Sequence, residues 1–355
     1  MRKVLVVVAS YSEAIRVAPL VRCLQSVPSM QTFVCAAVQH RQVLERALGN
    51  FGIGLDETFD AISPDSAHGI DSVIGKYQPD CVLIQGNSTS TIKSALLRFP
   101  GDGTYPGLQM FELGKEAETN DRGDPTAKYI FVSSESLRDE LLREGVAVDR
   151  IYLTDNMTVD AVQMAAQRIE SDEPLRAALA SSFPFLEKKR HLILVTEHWH
   201  DNREGRLTEL CCALKRLAMR PDVQVVYPLH YDYKVNETVA AVFENHPNIF
   251  LVHPQDYLHS VYLMQTARLI LTDLGSRLIE ALSLNKPVLV LRDAGDLPEA
   301  LDIGAAKLVG TDCGPLLREC SRFLDDDAYS SALADLRNPY GDGHACQRIV
   351  ETLLR

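Results

Sequence analysis

The chain has 355 residues, 46% of them hydrophobic and 24% charged, and carries a net charge of −12 at pH 7. That length suits two domains with ordinary cores better than one. The acidic balance argues against a nucleic-acid or anionic-membrane surface, and no apolar run approaches the roughly 20 residues that span a bilayer.

The first residues, MRKVLVVVAS, hold an apolar run too short for a secretory signal, and it leads straight into an amphipathic segment. They read as a buried strand at 3–9. Helical spacing follows over 13–24, at Ile15, Ala18, Leu20, Val21 and Leu24. Strand-like runs recur at 33–38, 81–84, 107–111, 128–132 and 151–153, with helical stretches at 41–51, 67–77, 88–98 and 134–144 between most of them. Continuously apolar strands alternating with helices predict a parallel sheet covered on both faces. The first half is therefore expected to be one doubly wound domain.

Residues 155–188 read as helix and then as a charged surface segment. Pro184 and Lys188-Lys189-Arg190 mark either a crossing between domains or a loop within one. A second series begins at 191–196 (HLILVT): helix 205–218, strand 223–227, helix 235–245, strand 249–252 and helix 257–266. The expected domains are 1–180 and 190–340, α/β/α sandwiches with a cleft between them, and a last helix in 341–355 that returns to the first. Eight cysteines lie scattered in apolar segments without a CxxC pair or metal spacing, which predicts reduced thiols in a cytoplasmic protein. Neither half contains GxGxxG, so the dinucleotide fingerprint is absent.

The stretch 269–293, LILTDLGSRLIEALSLNKPVLVLRD, condenses the pattern into one unit: strand, tight turn, helix, strand. Gly275 and Ser276 stand where the helix starts. Its first N–H groups lack partners there and its dipole is positive, so such a turn accepts a phosphate. Glu280, one turn further, is placed to reach a ribose hydroxyl. The bland alternative is an ordinary turn of an α/β protein.

Several segments together resemble the non-hydrolysing UDP-N-acetylglucosamine 2-epimerases. They are SEAIRVAPLV (12–21), AVQHR (37–41), PDCVLIQGNSTST (79–91), ILVTEHWHDN (193–202), VVYPLHYDYKV (225–235), PQDYL (254–258), EALSLNKPVLVLRD (280–293), LPEAL (297–301), LVGTD (308–312) and NPYGDG (338–343). The resemblance runs over nearly the whole chain. It implies two Rossmann-like domains in the GT-B arrangement, a UDP-sugar ligand, a homodimer and a place in polysaccharide precursor synthesis. It also implies inversion at C2 of the sugar by elimination and re-addition of UDP, with no metal and no cofactor.

Carried over residue by residue, the resemblance puts Glu112 and Glu118 on the carboxylates that handle protons, with Glu116 a rival for the second. It puts His198 on a diphosphate contact and catalytic histidine. Gln39 and His40 fall on a segment facing the sugar, and His230 on a further ligand segment. Arg16 takes the place of the lysine near the phosphates. Gly275 and Ser276 match the phosphate turn, Glu280 the ribose-binding glutamate and Arg292 a retained arginine. Asn87 replaces the family's aspartate and reads either as a ligand contact or as a helix N-cap.

Three further positions depart from the family pattern: Tyr11 and Leu297 replace arginines, and Leu274 replaces a serine. Each charge-assisted contact is worth roughly 1.5–3 kcal/mol, so the losses leave room for a shifted substrate. They also leave room for a catalytically impaired paralogue that binds a nucleotide sugar or a protein partner, and for a hydrolysing epimerase or GT-B glycosyltransferase. His198 and His200 form an HxH pair without an evident third metal ligand.

Overall fold

The computed structural model describes residues 1–37, 41–59, 66–85, 108–112, 129–143, 145–197, 205–229, 233–244, 246–292, 298–334 and 336–355. The predicted helix at 88–98 lies outside them. Among the described residues the chain forms two parallel sheets, each in its own unit: Met1–Met164 with Tyr340–Arg355, and Ala165–Pro339.

The first unit contains β1 (Arg2–Val8), α1 (Tyr11–Gln25), β2 (Met30–Ala37), α2 (Arg41–Gly49), β3 (Glu57–Phe59), α3 (Ser66–Tyr77), β4 (Cys81–Gln85), β5 (Leu108–Glu112), β6 (Tyr129–Val132), α4 (Glu135–Arg143), β7 (Ile151–Leu153) and the start of α5 (Met157–Ser171). Its strands lie in the order β3-β2-β1-β4-β5-β6-β7 and all pair in parallel. The run LVVV in β1 is buried on both faces, as a central parallel strand requires. On one face Leu5, Val7, Val82, Ile84, Ile130 and Val132 pack with Ile70, Val73 and Ile74 of α3 and Leu141 of α4.

Helix α1 is buried on most of its circumference because α14 (Ala345–Leu353) covers it from outside. The clamp that seats α14 is electrostatic. Asp160 of α5 accepts the Cys346 N–H at 2.9 Å and the Ala345 N–H at 3.3 Å, so a carboxylate sits at the positive end of α14. Burial pushes the Asp160 carboxyl up and those N–H bonds pull it back. Arg348 then grips Asp342 with two bonds, 2.9 and 2.6 Å, and Asp155 with a third at 2.9 Å. Arg2 donates to the Leu353 carbonyl, joining the two ends of the sequence.

The second unit contains the rest of α5, then α6 (Glu173–Ser181), β8 (His191–Thr196), α7 (Arg206–Ala218), β9 (Val223–Pro228), α8 (Tyr233–Phe243), β10 (Ile249–Val252), α9 (Tyr257–Thr266), β11 (Leu269–Thr272), α10 (Gly275–Ser283), β12 (Val288–Val290), α11 (Pro298–Asp302), β13 (Ala306–Leu308), α12 (Cys313–Asp325) and α13 (Asp327–Ala334). Its strands lie in the order β10-β9-β8-β11-β12-β13, again all parallel. Ile193, Val225, Leu271 and Leu289 face α7 and α12, whose Leu210, Leu214, Leu217, Leu316 and Phe323 complete that core. Each such buried side chain contributes about 1.5–3 kcal/mol.

The division between units falls inside α5, earlier than the charged segment at 184–190. Helix α6 packs against α9, and that contact draws residues 165–180, expected above in the first domain, into the second unit. Ser182, at the end of α6, meets His259 Nε2 at 3.1 Å, and His259 Nδ1 meets Asp256 Oδ1 at 2.7 Å. The trio has the order of a hydrolase triad, but Ser182 Oγ also bonds the Ala178 carbonyl and Asp256 caps α9. It works as a tie between two helices.

Candidate active site

In an open α/β sheet, ligands bind beyond the carboxyl ends of the strands where the strand order reverses. The first sheet reverses between β1 and β4, the second between β8 and β11.

Beyond β1 the chain turns at Ala9-Ser10 into α1. Ser10 caps the helix, accepting the Glu13 N–H at 3.3 Å, and the Glu13 carboxylate accepts the Ala9 N–H at 2.8 Å. This is a capping box shifted by one residue. Burial pushes the Glu13 carboxyl up, and the Ala9 N–H, Arg16 and Ser10 oppose that. The cap fixes Tyr11 as the first helical residue and Arg16 one turn further on, with Arg16 Nε donating to the Ser12 carbonyl at 3.2 Å. Gln85 ends β4 and is fully buried, and Glu112 ends β5. Adjacent strands thus carry Tyr11, Gln85 and Glu112 to one edge of one sheet.

In the second unit β11 ends at Thr272. Its buried Oγ1 accepts the Leu274 N–H at 3.1 Å and tightens the turn. Helix α10 starts at Gly275 with Leu274 as its cap residue, and that side chain has no oxygen to offer the first-turn N–H groups. Ser276 is exposed at this end of the helix. Glu280 is 6% exposed, and its Oε2 accepts from Arg277 Nη1 at 2.7 Å. Arg292 follows β12, the strand beside β11, and is half-buried.

Of the sequence-predicted residues, Arg16 and the backbone of Glu112 lie at the edge of the first sheet. Gly275, Ser276, Glu280 and Arg292 lie at the edge of the second. Gln39, His40, Asn87, Glu116, Glu118, His198, His200, His230 and Leu297 lie outside the described residues. Three side chains were not singled out from the sequence. Glu13 was legible in the Ser-x-x-Glu spacing from Ser10, and Arg277 in its three-residue spacing to Glu280. Gln85 gave no signal beyond ending an apolar strand. Among the described residues no group of three His, Cys, Asp or Glu side chains could hold a metal ion, and no helix is long and apolar enough to cross a membrane.

Residues 22–354 match the sequence profile of UDP-N-acetylglucosamine 2-epimerases. The chain is similar to the UDP-N-acetylglucosamine 2-epimerase of Yersinia pestis, at 38% identity over 99% of this chain and 98% of that one. It is similar to that of Escherichia coli K12 at 37% identity, with the same coverage of both. Its fold matches the crystal structure of the Neisseria meningitidis UDP-GlcNAc 2-epimerase bound to UDP-GlcNAc, with a TM-score of 0.86, 29% identity and 99% of each chain covered. Two Rossmann-like α/β units with GT-B-like architecture, each with a reversal of strand order, are thus joined to a full-length sequence match. This chain belongs to the UDP-N-acetylglucosamine 2-epimerase family.

Proposed function

We propose that the protein interconverts UDP-N-acetylglucosamine and UDP-N-acetylmannosamine. A carboxylate removes the C2 proton as the C1–O bond to UDP breaks, leaving a C1–C2 double bond and free UDP held in the site. UDP then returns to C1 while a proton is delivered to the opposite face of C2. This route moves a proton and UDP and transfers no hydride, so it calls for no nicotinamide. The work falls on proton transfer and on support for the departing diphosphate.

In this reading Glu112 and Glu118 exchange the C2 proton and His198 supports the leaving diphosphate. The open first turn of α10, at Gly275 and Ser276, receives phosphate oxygens. Glu280 accepts from the ribose hydroxyls. Arg16, Gln39, His40, Asn87, His230 and Arg292 contribute further contacts to sugar and nucleotide. The protein acts in the cytoplasm as a homodimer and supplies polysaccharide synthesis.

The observation that carries this reading is the match to family relatives over almost the whole chain. The position of Glu112 at the carboxyl end of β5 supports it, because that edge is where such sheets do their chemistry.

The test is proton NMR of UDP-N-acetylglucosamine incubated with the protein in deuterated water. Loss of the C2 proton signal with growth of the manno epimer is expected, and Glu112→Gln is expected to slow it by roughly 100-fold or more. Free sugar and UDP in place of the epimer would replace this reading with hydrolysis. Neither exchange nor UDP binding would overturn it.

A further inference from the structure

The second unit brings together two free thiols that the epimerase reading leaves unused. Cys212 lies in the middle of α7, and Cys313 is the first residue of α12, 101 positions later. Their Sγ atoms are 3.1 Å apart. A disulfide needs about 2.05 Å, so a shift of about 1 Å shared between two side chains would close the bond. The backbone around them is already fixed. One turn before Cys212, Glu209 Oε2 accepts the Cys313 N–H at 3.2 Å, so consecutive turns of α7 hold the first residue of α12 from two sides. Leu210, Leu214 and Leu217 on α7 and Leu316 and Phe323 on α12 share one core.

The two thiols differ in access. Cys212 is partly exposed and Cys313 is buried. Neighbouring Cys211 and Cys320 are both buried, and burial pushes the Cys211 thiol up to about 12 and the Cys320 thiol higher still. They are inert to solutes. With no third metal ligand grouped with the pair among the described residues, a metal is a poor occupant.

We propose that Cys212 and Cys313 are a modification site at which a hydroperoxide forms a reversible disulfide. The peroxide oxidises the accessible Cys212 thiol to a sulfenic acid and leaves as water. The Cys313 thiol then attacks that sulfur, the S–OH bond breaks, and a second water departs with the Cys313 proton. Two thiols lose two hydrogens in all, and one peroxide is reduced to two waters (one water and one alcohol for an alkyl hydroperoxide). A dithiol reductant reverses the step.

The experiment treats the full chain with stoichiometric hydrogen peroxide, then counts free thiols, measures the intact mass and maps peptides without reduction. The expected result is two fewer thiols out of eight, a mass lower by about 2 Da, and one cross-linked peptide pair containing Cys212 and Cys313. The link closes a long loop, so Tm should rise by about 2–5 °C and fall back with dithiothreitol. Cys212→Ser and Cys313→Ser should each abolish both the link and the rise. Should Cys313→Ser fold poorly because its site is buried, Cys212→Ser at the partly exposed position carries the control. A link between any other pair of cysteines in place of this one, sulfinic acid at Cys212 without a link, or eight thiols still free would each overturn the proposal.

Discussion

Arg277 and Glu280 face each other one turn apart on α10, with Nη1 and Oε2 separated by 2.7 Å and the carboxylate almost wholly buried. A buried carboxylate stripped of its cation is costly, so Arg277 holds the Glu280 side chain in its place. Arg277→Met is predicted to weaken UDP binding about tenfold by calorimetry. In a Glu280→Gln background the same change should add little, because Arg277 acts through Glu280. Equal losses in both backgrounds would mean that Arg277 meets the ligand itself, and the positioning role would be wrong.

Asp160 accepts two N–H groups at the start of α14 from a buried position on α5. Removing it leaves both donors without an acceptor, at about 1–3 kcal/mol each. Asp160→Ala should therefore lower unfolding stability by about 2–4 kcal/mol in urea. A loss under about 0.5 kcal/mol would show that α14 is seated by apolar contact alone.

The Arg348 guanidinium holds the Asp342 carboxyl down to about 2. A depressed carboxyl contributes stability above its unfolded value, near 3.9, and loses that contribution as pH falls through the folded value. Asp342→Asn should thus lower Tm at pH 7. The pair is partly exposed, so the drop should be only about 1–3 °C. The gap from the unmutated protein should shrink below about pH 4 and close near pH 2. A gap that widened on acidification would contradict the assignment.

Gly341 has φ +139°, and a Cβ built there would stand 2.7 Å from the Asp155 Cβ. Asp155 itself has φ +70° and is gripped by Arg348, so it cannot retreat cheaply. Gly341→Ala should cost about 2–4 kcal/mol. Gly343→Ala should cost less, since its obstacle is the end of the exposed Gln163 side chain. Chemical denaturation of both variants decides the order, and the reverse order would refute this account.

The central strands of both sheets were legible in the sequence because burial on both faces leaves an uninterrupted apolar run, as in LVVV of β1 and HLILVT of β8. Of the four edge strands, β7 and β10 were legible and β3 and β13 were not. Glu57–Phe59 and Ala306–Leu308 are three residues each with a charged member, too short and too polar to show a period. The turn at Gly275-Ser276 could be read because its logic is local: a strand ends and a helix begins. The boundary between units could not be placed, because composition marks the exposed segment at 184–190 while the packing of α6 on α9 decides membership. Cys212 and Cys313 were equally hidden, being brought together by two helices 101 positions apart.

The first unit is interrupted in sequence by the second, and α14 seals it. On the ribosome, the second unit emerges whole and can fold as a continuous stretch. The first must wait with α1 uncovered, its apolar outer side open to chaperones or to wrong partners, until residues 340–355 arrive. Vectorial synthesis thus inverts the usual order, and the domain that starts first finishes last. A ribosomal stall near residue 340 would release a protein whose second half is complete and whose first half is sticky.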